Sequence, residues 1–283
     1  MHFGRCRNPV RGTTISKMSF ITRNAFNHLT FVLKYKDVMA RMSNIPGVKQ
    51  LGLIALDAPR TNLTYIPIYQ DLDLPPGTVA PINIIEQFIE SASYHVILNR
   101  CPCRSEMGCK DYEPTFGCTF VGEGARQIDP AVGRHVTKSE ALEHLHHACE
   151  MGLVSLVGKF KGDAIALGVR DHSRLMTICH CCPCCCVSTS LHLASREARD
   201  ILVKLEGLSI EVGDGCAGCG KCVEVCMFKQ MSVVDGKAVV GEECKGCGRC
   251  AMACKQGAVK ITLDNADYME QAISRISGTV EVG

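Results

Sequence analysis

The chain has 283 residues, enough for two domains of the usual size of about 150 residues each. With 46% hydrophobic and 21% charged residues, its composition is globular and excludes a largely disordered chain. The formal net charge of +2 gives no reason to expect nucleic acid as a partner. No apolar run approaches the ~18 residues of a membrane span.

The first hundred residues combine a basic N-terminus with one predicted strand and one predicted helix. Residues 1–36 carry seven basic residues and no acidic one, which suits a transit peptide, contact with an anionic surface, or the solvated N-terminus that we favour. Residues 63–68 are predicted to form a short strand and residues 75–77 a turn. Apolar residues at helical spacing then predict a helix over about residues 81–94, which leads the chain to Cys101.

The middle of the chain predicts two more helices and a hairpin. Thr137 and Glu140 form a capping box that begins the first of these helices. Residues 153–157 and 164–169 are apolar and flank a polar stretch, which predicts a hairpin, and a helix followed by a hairpin weakly resembles a winged-helix element. Residues 189–205 are predicted to form the other helix.

A change of composition near residue 208 predicts two domains. We expect an α+β fold in which residues 1–207 form a mixed α/β, cysteine-rich domain that binds metal or iron–sulfur clusters. Residues 208–283 would form a small Gly- and Cys-rich module with a short C-terminal helix, predicted over residues 264–277. Inside this module, Asp235-Gly236 between two apolar segments is a signal for a type I′ turn and predicts a β-hairpin.

Cysteine is the unusual component of the composition, with 20 residues. So many cysteines fit either a disulfide framework or metal ligation. Secreted disulfide proteins are usually short, and residues 1–30 have no apolar signal segment. Six of the cysteines fall within residues 179–186, and adjacent cysteines form a disulfide only with strain. We therefore expect thiolate ligands in a reducing compartment, and an anaerobic cytoplasm as the location.

The clearest motif is an internal repeat in the C-terminal module. The pattern Cys-x2-Cys-x2-Cys-x3-Cys occurs twice, over residues 216–226 and 244–254. An iron–sulfur cubane needs four soft thiolates, and two-residue gaps wrap a loop around three of them. Glycines between the cysteines let backbone N–H groups approach the anionic cluster. A pair of zinc knuckles fits this spacing poorly, because zinc sites usually pair two Cys-x2-Cys arms across a longer gap.

On these motifs, residues 208–263 resemble a bacterial-type ferredoxin domain that binds two [4Fe-4S] clusters. The resemblance implies that each iron–sulfur cluster takes three cysteines from one copy of the motif and the fourth from the other copy. The implied ligands are Cys216, Cys219, Cys222 and Cys254 for the first cluster, and Cys244, Cys247, Cys250 and Cys226 for the second. Met227 and Lys255 stand where this family usually has a proline. That proline is not a ligand, so its absence affects the expected reduction potentials of the clusters and not their ligand sets.

Ten further cysteines lie upstream in two segments, CPCR-x4-C-x8-C and a crowded run. They are Cys101, Cys103, Cys109 and Cys118, and then Cys179, Cys181, Cys182, Cys184, Cys185 and Cys186. They suffice for two more cubanes with two thiols left over, or for one larger cluster. We expect at least one additional iron–sulfur cluster, with the four cysteines of the first segment as preferred ligands and a zinc site as the alternative. The pairing of segments resembles the N-terminal half of uncharacterised 4Fe-4S binding proteins of anaerobes, which assigns no reaction.

Other side chains near these motifs are candidates for supporting roles. Candidate additional ligands are His180 and the group His144, His146 and His147. Arg104 would offset cluster charge or position an anionic substrate. Four basic residues lie in the ferredoxin-like loops: Lys221, Lys245, Arg249 and Lys255. Their positive charge would favour the reduced state of a cluster. They could equally form a docking patch for a partner or a solvated surface. Cys6 and Cys149 stand alone, and we expect them to be inert.

These features predict an iron–sulfur electron-transfer protein. It would carry two [4Fe-4S] clusters in the ferredoxin-like module and at least one more upstream, and relay electrons to or from an anaerobic redox enzyme or another donor or acceptor protein. The alternative is an oxidoreductase subunit in which an N-terminal cluster with an open iron position reduces a substrate. A cluster-based regulator or assembly factor is a third hypothesis. No flavin, nicotinamide or nucleotide motif is readable.

Overall fold

The computed structural model describes residue 26 and residues 30–67, 74 and 80–283. Helices and a mixed sheet are both present, so the predicted α+β class is confirmed. The predicted turn at residues 75–77, the end of the first predicted strand and most of the basic N-terminus lie outside the described residues. None of the helices in the described part of the chain has the length and hydrophobicity needed to cross a bilayer.

Within the described residues, eleven strands form three sheets. They are β1 Asn62–Ile66, β2 His95–Leu98, β3 Thr119–Val121, β4 Gly133–His135, β5 Val154–Lys159, β6 Met176–Cys181, β7 Leu202–Val203, β8 Leu208–Val212, β9 Met231–Val234, β10 Lys237–Val240 and β11 Val259–Leu263. The large sheet has the order β4-β2-β3-β6-β5-β1-β7, and only its β1–β7 pair is parallel. The pairs β9–β10 and β8–β11 form two small antiparallel sheets.

The helices pack around these sheets. The α-helices are α1 Lys36–Met42, α2 Val48–Ala55, α3 Ile82–Ser91, α4 Pro102–Met107, α5 Lys138–Glu150, α6 Lys161–Leu167, α7 Arg196–Arg199, α8 Lys221–Glu224, α9 Arg249–Ala253 and α10 Tyr268–Ser277. Short 3-10 helices cover Val32–Tyr35, Ala58–Arg60, Glu123–Gln127, His172–Arg174 and Val187–Leu193.

The two best-marked helices form where the sequence predicts them. The predicted helix over residues 81–94 is α3, whose apolar stripe, including Ile85 and Phe88, is buried. At the start of α5, the Glu140 amide donates to Thr137 Oγ1 at 3.3 Å, and the Thr137 amide donates to Glu140 Oε2 at 2.8 Å. This reciprocal capping satisfies two amides that would otherwise lack partners inside the helix.

The predicted hairpin over residues 153–169 is wrong, and with it the likeness to a winged helix. β5 lies inside the large sheet, paired with β1 and β6, and residues Lys161–Leu167 form a helix rather than a return strand. The apolar run of β5 is the pattern of a central strand that is buried on both faces. Gly168, at φ 70°, ends α6 in the left-handed conformation.

The predicted helix over residues 189–205 is also wrong. This segment begins within the 3-10 helix Val187–Leu193, continues as α7 and ends as the edge strand β7. Ser195 interrupts the run by accepting a hydrogen bond at Oγ from the amide of Ala198, which starts a new helix. Leu202 then pairs with Leu63 of β1.

The segment after residue 208 contains the predicted hairpin β9–β10. Asp235 at φ 48° and Gly236 at φ 77° both have the positive φ that a type I′ turn requires. One apolar core includes Ile66 and Phe88 from the upstream part as well as Ile261 from the segment after residue 208. The division into domains at residue 208 stays a prediction.

Candidate metal centres

The described cysteines form four groups, which we name here. Site I contains Cys216, Cys219, Cys222 and Cys254; site II contains Cys226, Cys244, Cys247 and Cys250; the tetrad contains Cys109, Cys182, Cys184 and Cys185; and the hexad contains Cys101, Cys103, Cys118, Cys179, Cys181 and Cys186. None of them is in a disulfide. Cys149 stands apart, and burial raises the pKa of its thiol to about 11.

Site I is a cavity in the segment after residue 208, and its wall includes all four of its cysteines. Cys254 belongs to the second copy of the motif, so the fold brings it to the three leading cysteines of the first copy. The amide of Ala238 donates to Cys216 Sγ at 3.3 Å. This bond, with a second one from Gly218, lowers the pKa of Cys216 and favours its thiolate form. Cys219 is exposed, so site I reaches the solvent.

Site II is the deeper counterpart of site I. Cys226 from the first copy interacts electrostatically with Cys244, Cys247 and Cys250 of the second. The amide of Gln230 donates to Cys226 Sγ at 3.2 Å. Burial raises the pKa of Cys247 and of Cys250 to about 12, so a metal must displace protons to bind these thiols.

Two glycines allow the ligand loops to pass close to neighbouring segments. Gly218 has φ 62°, and a Cβ atom there would lie 2.3 Å from the carbonyl oxygen of Gly236 in the hairpin turn. Gly246 has φ 69°, and its Cβ would lie 2.5 Å from Leu208 Cδ2. Both positions combine left-handed backbone with a close approach, so only glycine fits them without rearrangement.

The tetrad is the most compact group of thiols. Its four Sγ atoms all lie within 4.8 Å of one another, and Cys109 Sγ lies 3.6 Å from Cys184 Sγ. A single tetrahedral ion with metal–sulfur bonds of about 2.3 Å spaces its thiolates roughly 3.8 Å apart, so the tetrad is close to the size of a one-ion site. Cys182 is 1% exposed, whereas Cys184 is at the surface.

The hexad is a closed ring of thiol–thiol contacts. Around the ring, the order of neighbours is Cys101, Cys103, Cys186, Cys181, Cys179, Cys118 and Cys101 again. The Sγ atoms of Cys181 and Cys186 lie 3.3 Å apart. Hydrogen bonds from Cys103 and Cys118 hold the pKa of Cys101 well below its usual range, and bonds from Cys103 and Cys181 do the same for Cys186.

The fold therefore divides the four preferred upstream ligands. Cys101, Cys103 and Cys118 belong to the hexad, but Cys109 belongs to the tetrad. The reason lies in α4, which ends at Gly108 in the left-handed conformation (φ 61°), so that the chain leaves the helix in a new direction before Cys109. One signal in the sequence pointed to this division: Cys179 and Cys181 alternate along a strand and share a face, whereas Cys182, Cys184 and Cys185 follow the strand.

Arg104 is a buried cation between the two upstream groups. It is 1% exposed and interacts with the thiols of Cys101 and Cys118 in the hexad and of Cys182 in the tetrad. It donates to the carbonyl oxygen of His180 at 3.0 Å and to that of Phe116. Among the described residues it forms no ion pair with a carboxylate. Negative charge on the sulfur groups is therefore its counter-charge.

The candidate histidines have partners other than the thiols. His180 contacts the hydroxyls of Thr119 and Ser155 with its two ring nitrogens, at 3.3 and 3.2 Å. Burial holds the pKa of His180 well below its usual range, so the ring is neutral. His144 Nε2 lies 2.9 Å from the Gly117 carbonyl oxygen and His146 Nε2 lies 2.6 Å from Glu86 Oε1. The donor set of the four groups is therefore sulfur alone.

A second apolar core connects site II with the hexad. It contains Cys247 of site II, Cys181 and Cys186 of the hexad, and the aromatic side chains of Tyr65 and Phe228 between them. Tyr65 could not be identified from the sequence, because β1 lies two strands away from β6. Tyr65 pairs with Leu156, and Leu156 pairs with Cys179, so strand pairing brings Tyr65 to the hexad.

Two residues noted in the ferredoxin-like loops have definite structural roles. Met227, which replaces the usual proline, is 1% exposed and packs in the core that connects site II with the hexad, where it excludes water. Arg249 is 8% exposed and donates to the Gly152 carbonyl oxygen at 2.7 Å and to Tyr112 Oη at 3.1 Å. Its charge also acts on Cys247, so Arg249 lies between site II and the surroundings of the tetrad.

The thiol-only donor sets fit iron–sulfur clusters or tetrahedral zinc, which are among the groups that soft sulfur ligands select. Comparison of the chain with protein-family models, curated proteins and solved structures yields no match. The structure thus shows a cysteine-rich group whose geometry could hold a metal ion.

Proposed function

We propose that this chain is an iron–sulfur electron-transfer protein of an anaerobic cytoplasm. Sites I and II would each hold one [4Fe-4S] cluster, at least one more iron–sulfur cluster would be bound upstream, and the chain would relay single electrons to or from a redox enzyme. A bound cubane supplies one-electron chemistry in which no bond to a substrate forms or breaks.

The observation that carries this proposal is the exchange of the fourth cysteine between the two copies of the motif. Cys254 lines the cavity of site I, and Cys226 interacts with the three cysteines of site II. This exchange is how two cubanes are held by a duplicated Cys-x2-Cys-x2-Cys-x3-Cys run. A pair of independent zinc sites would instead keep the four cysteines of each copy together.

The protein surroundings of sites I and II suit a redox centre. The amides of Ala238 and Gln230 donate to ligand sulfur atoms, and such bonds stabilise the more negative, reduced state of a cluster. Arg249 adds a buried positive charge beside Cys247 with the same effect. The exposed Cys219 leaves site I accessible to a partner protein, whereas site II faces the interior.

Two double variants test which cysteines are exchanged between the copies of the motif. In one variant both substitutions fall on the same site, and in the other they fall on different sites. In Cys226→Ala/Cys247→Ala both changes fall on site II, and we expect the chain to lose about four irons. In Cys222→Ala/Cys226→Ala they fall on different sites, and we expect it to lose about eight. The reverse pattern would refute the exchange. Iron and acid-labile sulfide are measured on anoxically purified protein, with Cys149→Ala as the matched control.

For the tetrad we propose a single tetrahedral ion, zinc. The specific observation is its size, since four Sγ atoms within 4.8 Å of one another leave room for one ion, whereas a cubane holds its thiolates farther apart around a four-iron core. An ion at this position joins the loop after α4 to the end of β6 and so has a structural role.

The alternative of a substrate-reducing enzyme has weaker support. A cleft of about 360 Å³ lies beside the tetrad, and its lining includes Phe116 and Met151, which also pack against the tetrad. This cleft adjoins the proposed zinc site. The hexad cysteines are mostly buried, and Cys181 and Cys186 share an apolar core with Cys247 of site II. Electron transfer is therefore the function that we place first.

A further inference from the structure

We propose that the hexad binds one iron–sulfur cluster through all six of its thiolates, a cluster larger than a cubane. This inference rests on the proposed function and deepens it, because it assigns the upstream cluster to named ligands and to a size class. The six residues are Cys101, Cys103, Cys118, Cys179, Cys181 and Cys186.

The first argument is the shape of the ring. Each thiol interacts with two neighbours, and the ring closes. Among the described residues, only the tetrad has three or more ligand atoms that all lie within 4.8 Å of one another. The hexad is therefore too open for a single ion, but it has the form of a thiolate shell around an inorganic core.

The second argument is how the chain supplies the ligands. Cys101 and Cys103 stand at the start of α4, whereas Cys179 and Cys181 alternate along β6 and so present their thiols on one face of that strand. Cys118 precedes β3, which pairs with β6, and Cys186 begins the 3-10 helix after the cysteine run. Four separate structural elements thus direct six thiols to one place, which random burial of cysteine does not explain.

The third argument is charge. Arg104 is 1% exposed, interacts with two hexad thiols, Cys101 and Cys118, as well as with Cys182 of the tetrad, and has no carboxylate partner among the described residues. Its Nε atom is buried without a hydrogen-bond partner in that part of the chain. A buried cation requires a buried anion, and an iron–sulfur cluster with six thiolates is an anion of sufficient charge. Binding would release the protons of the thiols, as for any thiolate-ligated metal.

The competing arrangement is a cubane held by four thiols of the ring, with two left free. Six single variants, each with one hexad cysteine changed to Ala, distinguish the two. If all six thiols are ligands, each variant loses the same iron and sulfide or shows the same change in its Mössbauer and EPR spectra. The inference would be overturned if two of the variants kept wild-type iron, sulfide and spectra, because the ring would then hold a cubane through four thiols. It would also be overturned if all six variants did so, because none of the thiols would then be a ligand. Cys149→Ala is the control, and circular dichroism identifies variants that fail to fold.

Native mass spectrometry of the intact wild-type chain under anoxic conditions provides a second measurement that needs no variant. After two cubanes and one zinc are subtracted, the inference predicts a remaining mass of more than four irons with their sulfides. A remainder of four irons or fewer overturns this inference and leaves sites I and II intact. Absence of labile sulfide from the whole chain would instead refute the proposed function, so the two failures are distinguishable.

Discussion

The ring of Tyr65 packs edge-on against the ring of Phe228, with 5.3 Å between the ring centroids. Tyr65 Oη also donates to Cys181 Sγ of the hexad at 3.6 Å, and Phe228 follows Cys226 of site II by two residues. Both side chains are almost fully buried. This buried aromatic pair therefore forms a packed connection between site II and the hexad.

Replacing the aromatic ring of Phe228 should slow electron transfer along this connection. Phe228→Leu keeps most of the buried volume but opens a gap between Tyr65 and site II, and electron tunnelling slows steeply across gaps. After addition of sub-stoichiometric dithionite, we expect the upstream cluster to be reduced more slowly than in the wild type, while the iron content stays unchanged. Freeze-quench EPR monitors this reduction. Phe88→Leu, at a similarly buried position in a different core, is the matched control. Equal rates in both variants would exclude this path.

The two buried arginines should tune different centres. Removing the positive charge of Arg104 makes reduction less favourable, so Arg104→Gln should lower the potential of the upstream cluster and leave site II unchanged. Arg249→Gln should lower the potential of site II and leave the upstream cluster unchanged. Anoxic redox titrations followed by EPR measure both, and a shift of all centres together in either variant would contradict the assignment.

A charge-preserving variant separates electrostatics from hydrogen bonding at the same position. Arg104→Lys keeps the cation but loses at least one of the two bonds to backbone carbonyls, each worth about 1–3 kcal/mol when its partner is left buried and unsatisfied. We expect its upstream potential to stay nearer the wild-type value than that of Arg104→Gln, although both variants are less stable. Equal potentials in the two variants would show that the charge has no effect.

The tetrad should bind zinc independently of the iron–sulfur centres. Cys184 is exposed, so Cys184→Ala disturbs no core, and we expect it to lose one zinc per chain while iron and labile sulfide stay constant. Metal analysis of the anoxic protein measures all three. Loss of iron in place of zinc would assign the tetrad to an iron–sulfur site instead.

The loop of site I should not tolerate a side chain at Gly218. Alanine there must adopt φ 62° and approach the Gly236 carbonyl oxygen, so we expect Gly218→Ala to cost at least about 1–2 kcal/mol and to weaken cluster binding at site I. Gly215, in the same loop, has open space around its Cβ position, and Gly215→Ala should change stability by less than about 0.5 kcal/mol. Thermal midpoints measured anoxically by circular dichroism compare the two, and equal midpoints would show that the close approach is not important.

Features set by neighbouring residues were predictable from the sequence. The capping box at Thr137 and the type I′ turn at Asp235 depend on a few adjacent residues, and both form. The predicted α10 exists, although it begins at Tyr268 rather than at residue 264. The ligand sets of sites I and II came from a resemblance, and they stay predictions.

Features set by strand pairing were not predictable in the same way. An apolar run such as Val154–Lys159 has the same pattern whether its partner is the next segment or a distant strand, and here the partners are β1 and β6. The division of the upstream cysteines into hexad and tetrad depends on that pairing and on the direction of the chain after Gly108. Spacing alone grouped Cys109 with Cys101, which the fold separates.

Iron, zinc and acid-labile sulfide per chain, measured on the intact protein purified without exposure to oxygen, test the central claim most directly. We expect about eight irons and eight sulfides from sites I and II together with a further complement from the hexad, so that both totals exceed about twelve, and one zinc from the tetrad. Protein that contains zinc but no labile sulfide would contradict it.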